Sequence, residues 1–207
     1  MIIKELAVGP IMANCFIVGC EETKKAAVID PGEDADRILA TLADSHLTVG
    51  CIINTHGHFD HVGANARLKE VTGAKIMIHA LDAPMLTQLS QSAAAMGMRA
   101  DNSPPADRLL EDGETVTCGS ITFKVLHTPG HTPGGISLLT GGHVFVGDTL
   151  FAGSIGRTDF PGGDFATLEA SIREKLYVLD DDVVVYPGHM GRTTIGREKQ
   201  TNPFVRG

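Results

Sequence analysis

The chain has 207 residues, 43% hydrophobic and 20% charged, with a formal net charge of -8 at pH 7. That length and composition suit one globular domain, residues 1–207, with a sizeable core, and exclude the highly charged, apolar-poor class of disordered chains. The acidity argues against a sequence-independent grip on nucleic acid, no apolar run nears the ~18 residues of a membrane span, and the opening MIIKELAVGP lacks a signal peptide's apolar core and cleavage site.

Cytoplasmic residence is therefore expected, with no nucleic-acid or membrane partner, and the oligomeric state stays open. In chain order, Ile2–Leu6, Cys15–Val18 and Ala26–Ile29 are short apolar runs between turns and predict antiparallel strands. The third stops at Asp30-Pro31-Gly32, a turn signal. From Glu33 to His46, residues Ile38, Leu39 and Leu42 fall at helical spacing, with His46 at the helix end. The run Gly50–Asn54 predicts a strand that leads straight into T-H-G-H-F-D-H, residues 55–61. Val62–Val71 predicts a helix with Ala64, Leu68 and Val71 on one face and Gly73 as its stop. Lys75–Ile78 predicts a strand with His79 just past it, followed by a helix over Leu81–Leu89. Residues 91–113 break the rhythm and are either a connector packed through its methionines or a mobile flap.

Two tight hairpins are expected next. Glu114–Cys118 and Ile121–Leu126 flank Gly119-Ser120, while Ile136–Thr140 and His143–Val146 flank Gly141-Gly142. Between them runs H-T-P-G-H-T-P-G-G, residues 127–135, with His131 at its centre. Asp148 follows the strand Val144–Val146, and residues 151–164 form a second glycine-rich loop. Asp164 can cap a helix whose apolar face is Phe165, Leu168, Ile172 and Leu176. The strand Val183–Tyr186 ends in Pro187-Gly188-His189, and Thr193 or Thr194 opens a last short helix. Each half runs through strands, a strand ending in Asp (Asp30; Asp148), a helix, and a strand ending in His (His56; His189). This predicts an α/β fold of two packed sheets with outer helices, a four-layer sandwich whose strand ends gather on one edge. Four scattered cysteines (Cys15, Cys20, Cys51, Cys118) show no C-x-x-C spacing and suit reduced thiols, three of them in or beside apolar strands.

The densest chemistry lies at residues 55–61, where His56, His58, His61 and Asp60 fall together. Neutral imidazole and carboxylate are ligands for transition metals. In extended backbone, residues two apart point the same way, so His56 and His58 can grip one ion while Asp60 and His61 turn to a second. A capping role for Asp60 would leave the histidines unexplained. Adding His131, Asp148 and His189 gives five imidazoles and two carboxylates, enough for two ions if one carboxylate bridges. Two cations about 3.5–4 Å apart share a water and lower its pKa toward 7. Zinc, iron and manganese all suit these ligands. Asp30 is expected to brace a loop, and His79 to be structural or to support the site. His127 and His143 are expected to be structural.

The motif T-H-G-H-F-D-H resembles the H-x-H-x-D-H signature of the metallo-β-lactamase superfamily, and T-P-G-H-T-P-G, G-D-T and Y-P-G-H follow in that superfamily's order. Within it the chain is most similar to the glyoxalase II-like group, the hydroxyacylglutathione hydrolases, in a short bacterial form without the C-terminal helical domain. The resemblance implies the αββα metallo-β-lactamase fold with two mixed sheets and two divalent metal ions per chain. His56, His58 and His131 would bind the first ion, and Asp60, His61 and His189 the second. Asp148 would bridge them, and Asp60 and Asp148 would position a bridging hydroxide. The implied reaction is hydrolysis of a small-molecule thioester such as S-lactoylglutathione. The glutathione-gripping residues of the longer enzymes' C-terminal extension are expected to have no counterparts among these 207 residues, and another small ester or lactone is an alternative substrate. The stretch G-R-T-D-F (Gly156–Phe160) is similar to one in persulfide dioxygenases of the same superfamily. That likeness implies a rival activity, oxidation of glutathione persulfide by O₂ at a single iron on His56, His131 and Asp148. Arg157 would then contact a substrate carboxylate or brace the metal loop.

Overall fold

Strands β1 (Ile2–Val8), β2 (Ala13–Gly19) and β3 (Lys25–Ile29) form an antiparallel meander, and helix α1 (Ala35–Asp44) crosses over to β4 (Thr48–Ile53), parallel to β3. The computed structural model describes residues 1–207. Helices α2 (Phe59–Val62) and α3 (Asn65–Thr72) lead to β5 (Lys75–His79). A 3₁₀ turn (Ala83–Gln88) and α4 (Leu89–Ala95) lead to β6 (Arg108–Leu110), and β4, β5 and β6 are parallel neighbours. The first sheet therefore runs β1-β2-β3-β4-β5-β6.

The second sheet starts with β7 (Thr115–Cys118), β8 (Ile121–His127), β9 (Ile136–Thr140) and β10 (His143–Gly147), all antiparallel. A small hairpin of β11 (Leu150–Phe151) and β12 (Ser154–Ile155) follows. Helix α5 (Phe165–Ser171), prolonged by a π-helical turn over Ile172–Leu176, then crosses to β13 (Val184–Pro187), parallel to β10. β14 (Thr193–Thr194) and α6 (Ile195–Thr201) complete the order β14-β13-β10-β9-β8-β7. Both halves thus use one device: a run of antiparallel strands (three in the first half, four in the second), a helical crossover, and a parallel strand beside the last of the run.

Strand alternation separates three apolar layers, which makes the four-layer αββα sandwich. On β2, Cys15 and Ile17 face the layer under α1, α3 and α4, while Phe16 and Val18 face the layer between the sheets. On β4, Ile52 faces outward and Cys51 and Ile53 inward. This period of two is the pleat of a strand buried on both faces. The outer layer on the second sheet joins Val144, Val146 and Val185 to Leu168, Ile172 and Leu176. The aromatic centre of the sandwich is Phe145, with Phe16 at 5.2 Å and Tyr186 stacked at 4.8 Å. All four cysteines are buried and free, and no helix is long and apolar enough to cross a membrane.

Several sequence expectations are corrected in detail. The helix expected over Val62–Val71 is broken at Gly63-Ala64, because the chain there packs on the Pro31-Gly32 turn: the Ala64 amide donates to the Pro31 carbonyl at 2.9 Å. A side chain at Gly63 would sit 2.4 Å from the Gly32 carbonyl. Val71 and Phe165, both assigned to apolar faces, are exposed. The helix expected over Leu81–Leu89 is a 3₁₀ turn, with the α-helix beginning at Leu89, and His79 is the last residue of β5. Residues 91–113 are a packed connector that includes the end of α4 and all of β6. It is tied down by Ser103 to the Leu86 carbonyl (2.9 Å) and by Met98 against the core, whereas Met96 is exposed. The glycine-rich loop at 151–164 contains the β11–β12 hairpin.

Candidate metal centre

Because β3 is parallel to β4 and β10 to β13, these four strands end on one edge of the sandwich, where parallel α/β sheets place their sites. The residues that follow them are Asp30, the 55–61 loop, Asp148 and His189. Backbone hydrogen bonds fasten the two sheets here: Ile136 donates to the Thr55 carbonyl (2.8 Å) and Asn14 to the Gly188 carbonyl (2.7 Å).

Two ligand sets converge at that edge. Ring nitrogens of His56, His58 and His131 lie within 4.8 Å of one another, as do Asp60, His61 and His189. His131 Nε2 is 3.0 Å from His58 Nδ1, and His61 Nε2 is 3.2 Å from His189 Nε2. Asp148 stands between the sets, with Oδ2 3.6 Å from His131 Nε2 and from His189 Nε2, and Oδ1 3.5 Å from His61 Nε2. Asp60 Oδ2 lies 3.3 Å from His189 Nε2. Asp60 does not cap α2: the cap position is His58, and no side-chain cap bond forms.

The partners behind these rings decide which nitrogen points inward. His131 Nδ1 donates to the Arg157 carbonyl at 2.7 Å, which leaves Nε2 with its lone pair facing the centre. Thr55 gives its hydroxyl hydrogen to Asp30 Oδ2 (2.6 Å), so its oxygen accepts from His56 Nδ1 (3.1 Å) and His56 Nε2 is left free. Asp30 Oδ2 also accepts from His61 Nδ1 at 3.2 Å. The same carboxylate therefore orients one ring in each set. Close backbone contacts hold the two candidate carboxylates: a side chain at Gly32 would meet the Asp60 carbonyl at 1.8 Å, and one at Gly156 the Asp148 carbonyl at 1.8 Å.

Burial and the neighbouring imidazoles push the pKa of His56 well below its ordinary value, and those of His58 down to about 4. Both are thus neutral and ligand-ready at pH 7. At His61 burial opposes charge, but the Asp148 and Asp60 carboxylates outweigh it and raise the pKa to about 10. Burial pushes Asp60 up, yet His61 and His189 hold it well below the usual carboxylate range. His56 Nε2 and Asp148 Oδ1 are buried without a hydrogen-bond partner. Leaving such atoms unmet costs roughly 1–3 kcal/mol each, and a cation held between the two sets would satisfy them. The donor set and these orphaned atoms fit a bound metal.

Other residues singled out in the sequence lie elsewhere. His79 joins neither set; its ring stacks on His127 at 4.2 Å and 7°. Arg157 reaches the centre only through its carbonyl, while its guanidinium turns outward to Asp159 (2.7 Å) and over Phe160 (3.7 Å). His143 pairs with the Tyr186 hydroxyl at 3.1 Å. Two supporting residues escape a reading by sequence. Asn14 donates to the Pro187 and Met190 carbonyls at 3.0 and 2.8 Å, bracketing His189. Asp82, fully buried, bonds both histidine loops. Asn14 carries one sequence signal, an amide inside the apolar run A-N-C-F-I-V; Asp82 carries none, since it falls inside the helix expected over Leu81–Leu89.

Comparison with known proteins places this geometry. A family model described as Metallo-beta-lactamase superfamily matches residues 8–189. A Haemophilus influenzae protein named hydroxyacylglutathione hydrolase GloC is 40% identical over 99% of this chain and 98% of its own length. The crystal structure of BLEG-1 B3 metallo-beta-lactamase matches with TM-score 0.93 and 38% identity, covering 100% of both chains. That of TTHA1623 in a di-iron-bound form matches with TM-score 0.90 and 39% identity, covering 98% of this chain and 100% of the other.

Proposed function

The chain belongs to the metallo-β-lactamase superfamily, and from that premise we propose that it is a metal-dependent hydrolase of a small thioester such as S-lactoylglutathione. The observation that carries this reading is the pair of three-ligand sets with Asp148 within 3.6 Å of both. A relative named hydroxyacylglutathione hydrolase and a similar di-iron structure support it.

Two divalent ions held there, zinc, iron or manganese, would supply Lewis acidity and a water with its pKa lowered toward about 7. The chain's own task is placement. His56, His58 and His131 present three imidazoles to one position; Asp60, His61 and His189 serve the other; and Asp148 reaches both. Asp30 fixes the rings of His56 and His61, through Thr55 and directly. A thiolate leaving group has a pKa of about 8.5 and departs without a proton donor. This agrees with a site whose remaining buried carboxylates, Asp30 and Asp82, are already committed to hydrogen bonds.

A second reading, a single-iron oxygenase acting on glutathione persulfide, is favoured by one observation. The G-R-T-D-F stretch meets the three-histidine set twice: the Arg157 carbonyl holds His131, and the Phe160 ring lies edge-on to His58 at 5.8 Å. Metal analysis of the purified protein, paired with assays on S-lactoylglutathione, glutathione persulfide and a β-lactam, separates the possibilities. Two metals with thioester cleavage are expected. One iron with oxygen consumption would replace that reading with the second, and turnover of the β-lactam alone would replace both.

A further inference from the structure

Asp82 occupies the position that precedes the 3₁₀ turn Ala83–Gln88, where an aspartate ordinarily caps the helix with its side chain. It makes no such bond. Its side chain instead enters the interior, fully buried, and each oxygen accepts one backbone amide from a different loop. Oδ2 takes the amide of Gly57, the residue between His56 and His58, at 3.0 Å. Oδ1 takes the amide of Gly134, in the loop centred on His131, at 2.7 Å. These two contacts fall beside all three histidines of the first ligand set, whereas Asp60 and His61 of the second lie further on, in α2. Both contacted residues are glycines with no room for a side chain. A Cβ at Gly57 would lie 3.0 Å from the Asp82 carbonyl, and one at Gly134 would lie 2.6 Å from Asp82 Oδ1.

We infer that Asp82 is a positioning residue for the three-histidine set, a clamp that holds the His56–His58 loop and the His131 loop at the separation one metal ion requires. The inference rests on the reading of these histidines as metal ligands. Hydrogen bonds to an ionised acceptor are roughly twice as strong as neutral ones, so the clamp is stiff. It is also local: Asp30 reaches both sets, whereas Asp82 bonds only beside the first, and the second has its own holds in the His61–Asp30 bond, Asn14 and the Gly32 contact. Losing Asp82 therefore loosens one ion and leaves the other.

The test is cobalt(II) titration of the metal-free 207-residue chain, read by its visible absorption and by metal counting after dialysis. Wild type is compared with Asp82→Asn, Asp82→Ala and Gly134→Ala, and the thermal midpoint of each metal-free chain is recorded alongside. Asn places an N–H donor against an amide donor, and Gly134→Ala pushes the loop off an intact carboxylate. The expected result is two ions in wild type, with one ion weakened about 10–100-fold in the variants, as for other residues that orient metal ligands, and the other unchanged. Wild-type affinity for both ions in Asp82→Asn and Gly134→Ala overturns the inference. So does equal loss of both ions with a lowered metal-free midpoint, which marks a general folding role. Failure of the wild-type chain to take up cobalt overturns the metal-centre reading itself.

Discussion

Asp30 accepts two hydrogen bonds from Thr55, one from its amide at 2.7 Å and one from its hydroxyl at 2.6 Å. The pair couples the end of β3 to the loop after β4, and it fixes the hydroxyl so that it can only accept from His56. Replacing Thr55 with valine keeps the shape and removes this acceptor, leaving a buried Nδ1–H unmet at a cost of roughly 1–3 kcal/mol. Metal affinity at the three-histidine set should fall about 10–100-fold. Competition titration against a chelator checks this; an unchanged affinity means that the His56 ring is held by something else.

Gly156→Ala should disable the centre without touching a ligand. The added methyl group would meet the Asp148 carbonyl at 1.8 Å and the His131 Cβ at 3.3 Å. The carbonyl cannot move without carrying Asp148 with it. Bound metal, measured on the purified variant, should drop below wild type at both positions.

Arg157→Ala should retain its full complement of metal. The bond to His131 comes from the residue's carbonyl, which the substitution preserves, and the lost guanidinium partners, Asp159 and Phe160, lie outside the ligand sets. Metal counting tests this; loss of an ion would show that the guanidinium also braces the loop.

The fold has a pH-sensitive contact outside the two ligand sets. Tyr177 donates to the Val205 carbonyl at 2.7 Å, and burial, helped by Glu198, raises its pKa from 10.0 to about 12. A group raised in the folded state contributes stability that is fully present below its unfolded pKa and is lost as pH rises through the folded one. The metal-free chain should therefore lose stability between about pH 10 and 12. Tyr177→Phe should show a smaller loss across that window, measured by urea denaturation at successive pH values.

Phe145→Ala removes the ring at the centre of the inter-sheet layer, between Phe16 and Tyr186. Such truncations cost about 3–5 kcal/mol. Chemical denaturation of the metal-free chain should show a loss of that size.

Much of this protein is decided by its sequence alone. The apolar runs that become β2 and β4, the paired glycines of the β9–β10 turn, both with positive φ, and the helical spacing of Ile38 and Leu42 depend on neighbours along the chain. They appear in the structure within a residue or two of where the pattern puts them. The seven residues of the candidate centre stand out in the sequence for a related reason: each follows a strand or sits between hairpins, and imidazole and carboxylate are metal-ligand chemistry. What failed depends on contacts between distant segments. The break before α3 comes from Gly32 pressing on Gly63, and the exposure of Val71 and Phe165 from layers that end before reaching them. The roles of Asn14, Asp82 and the Arg157 carbonyl arise the same way, because a hydrogen bond to another loop's backbone leaves no trace in residue type or spacing. Local periodicity selects the strands and helices, and residue type marks the candidate ligands; only the tertiary structure brings those residues together with the groups that aim them.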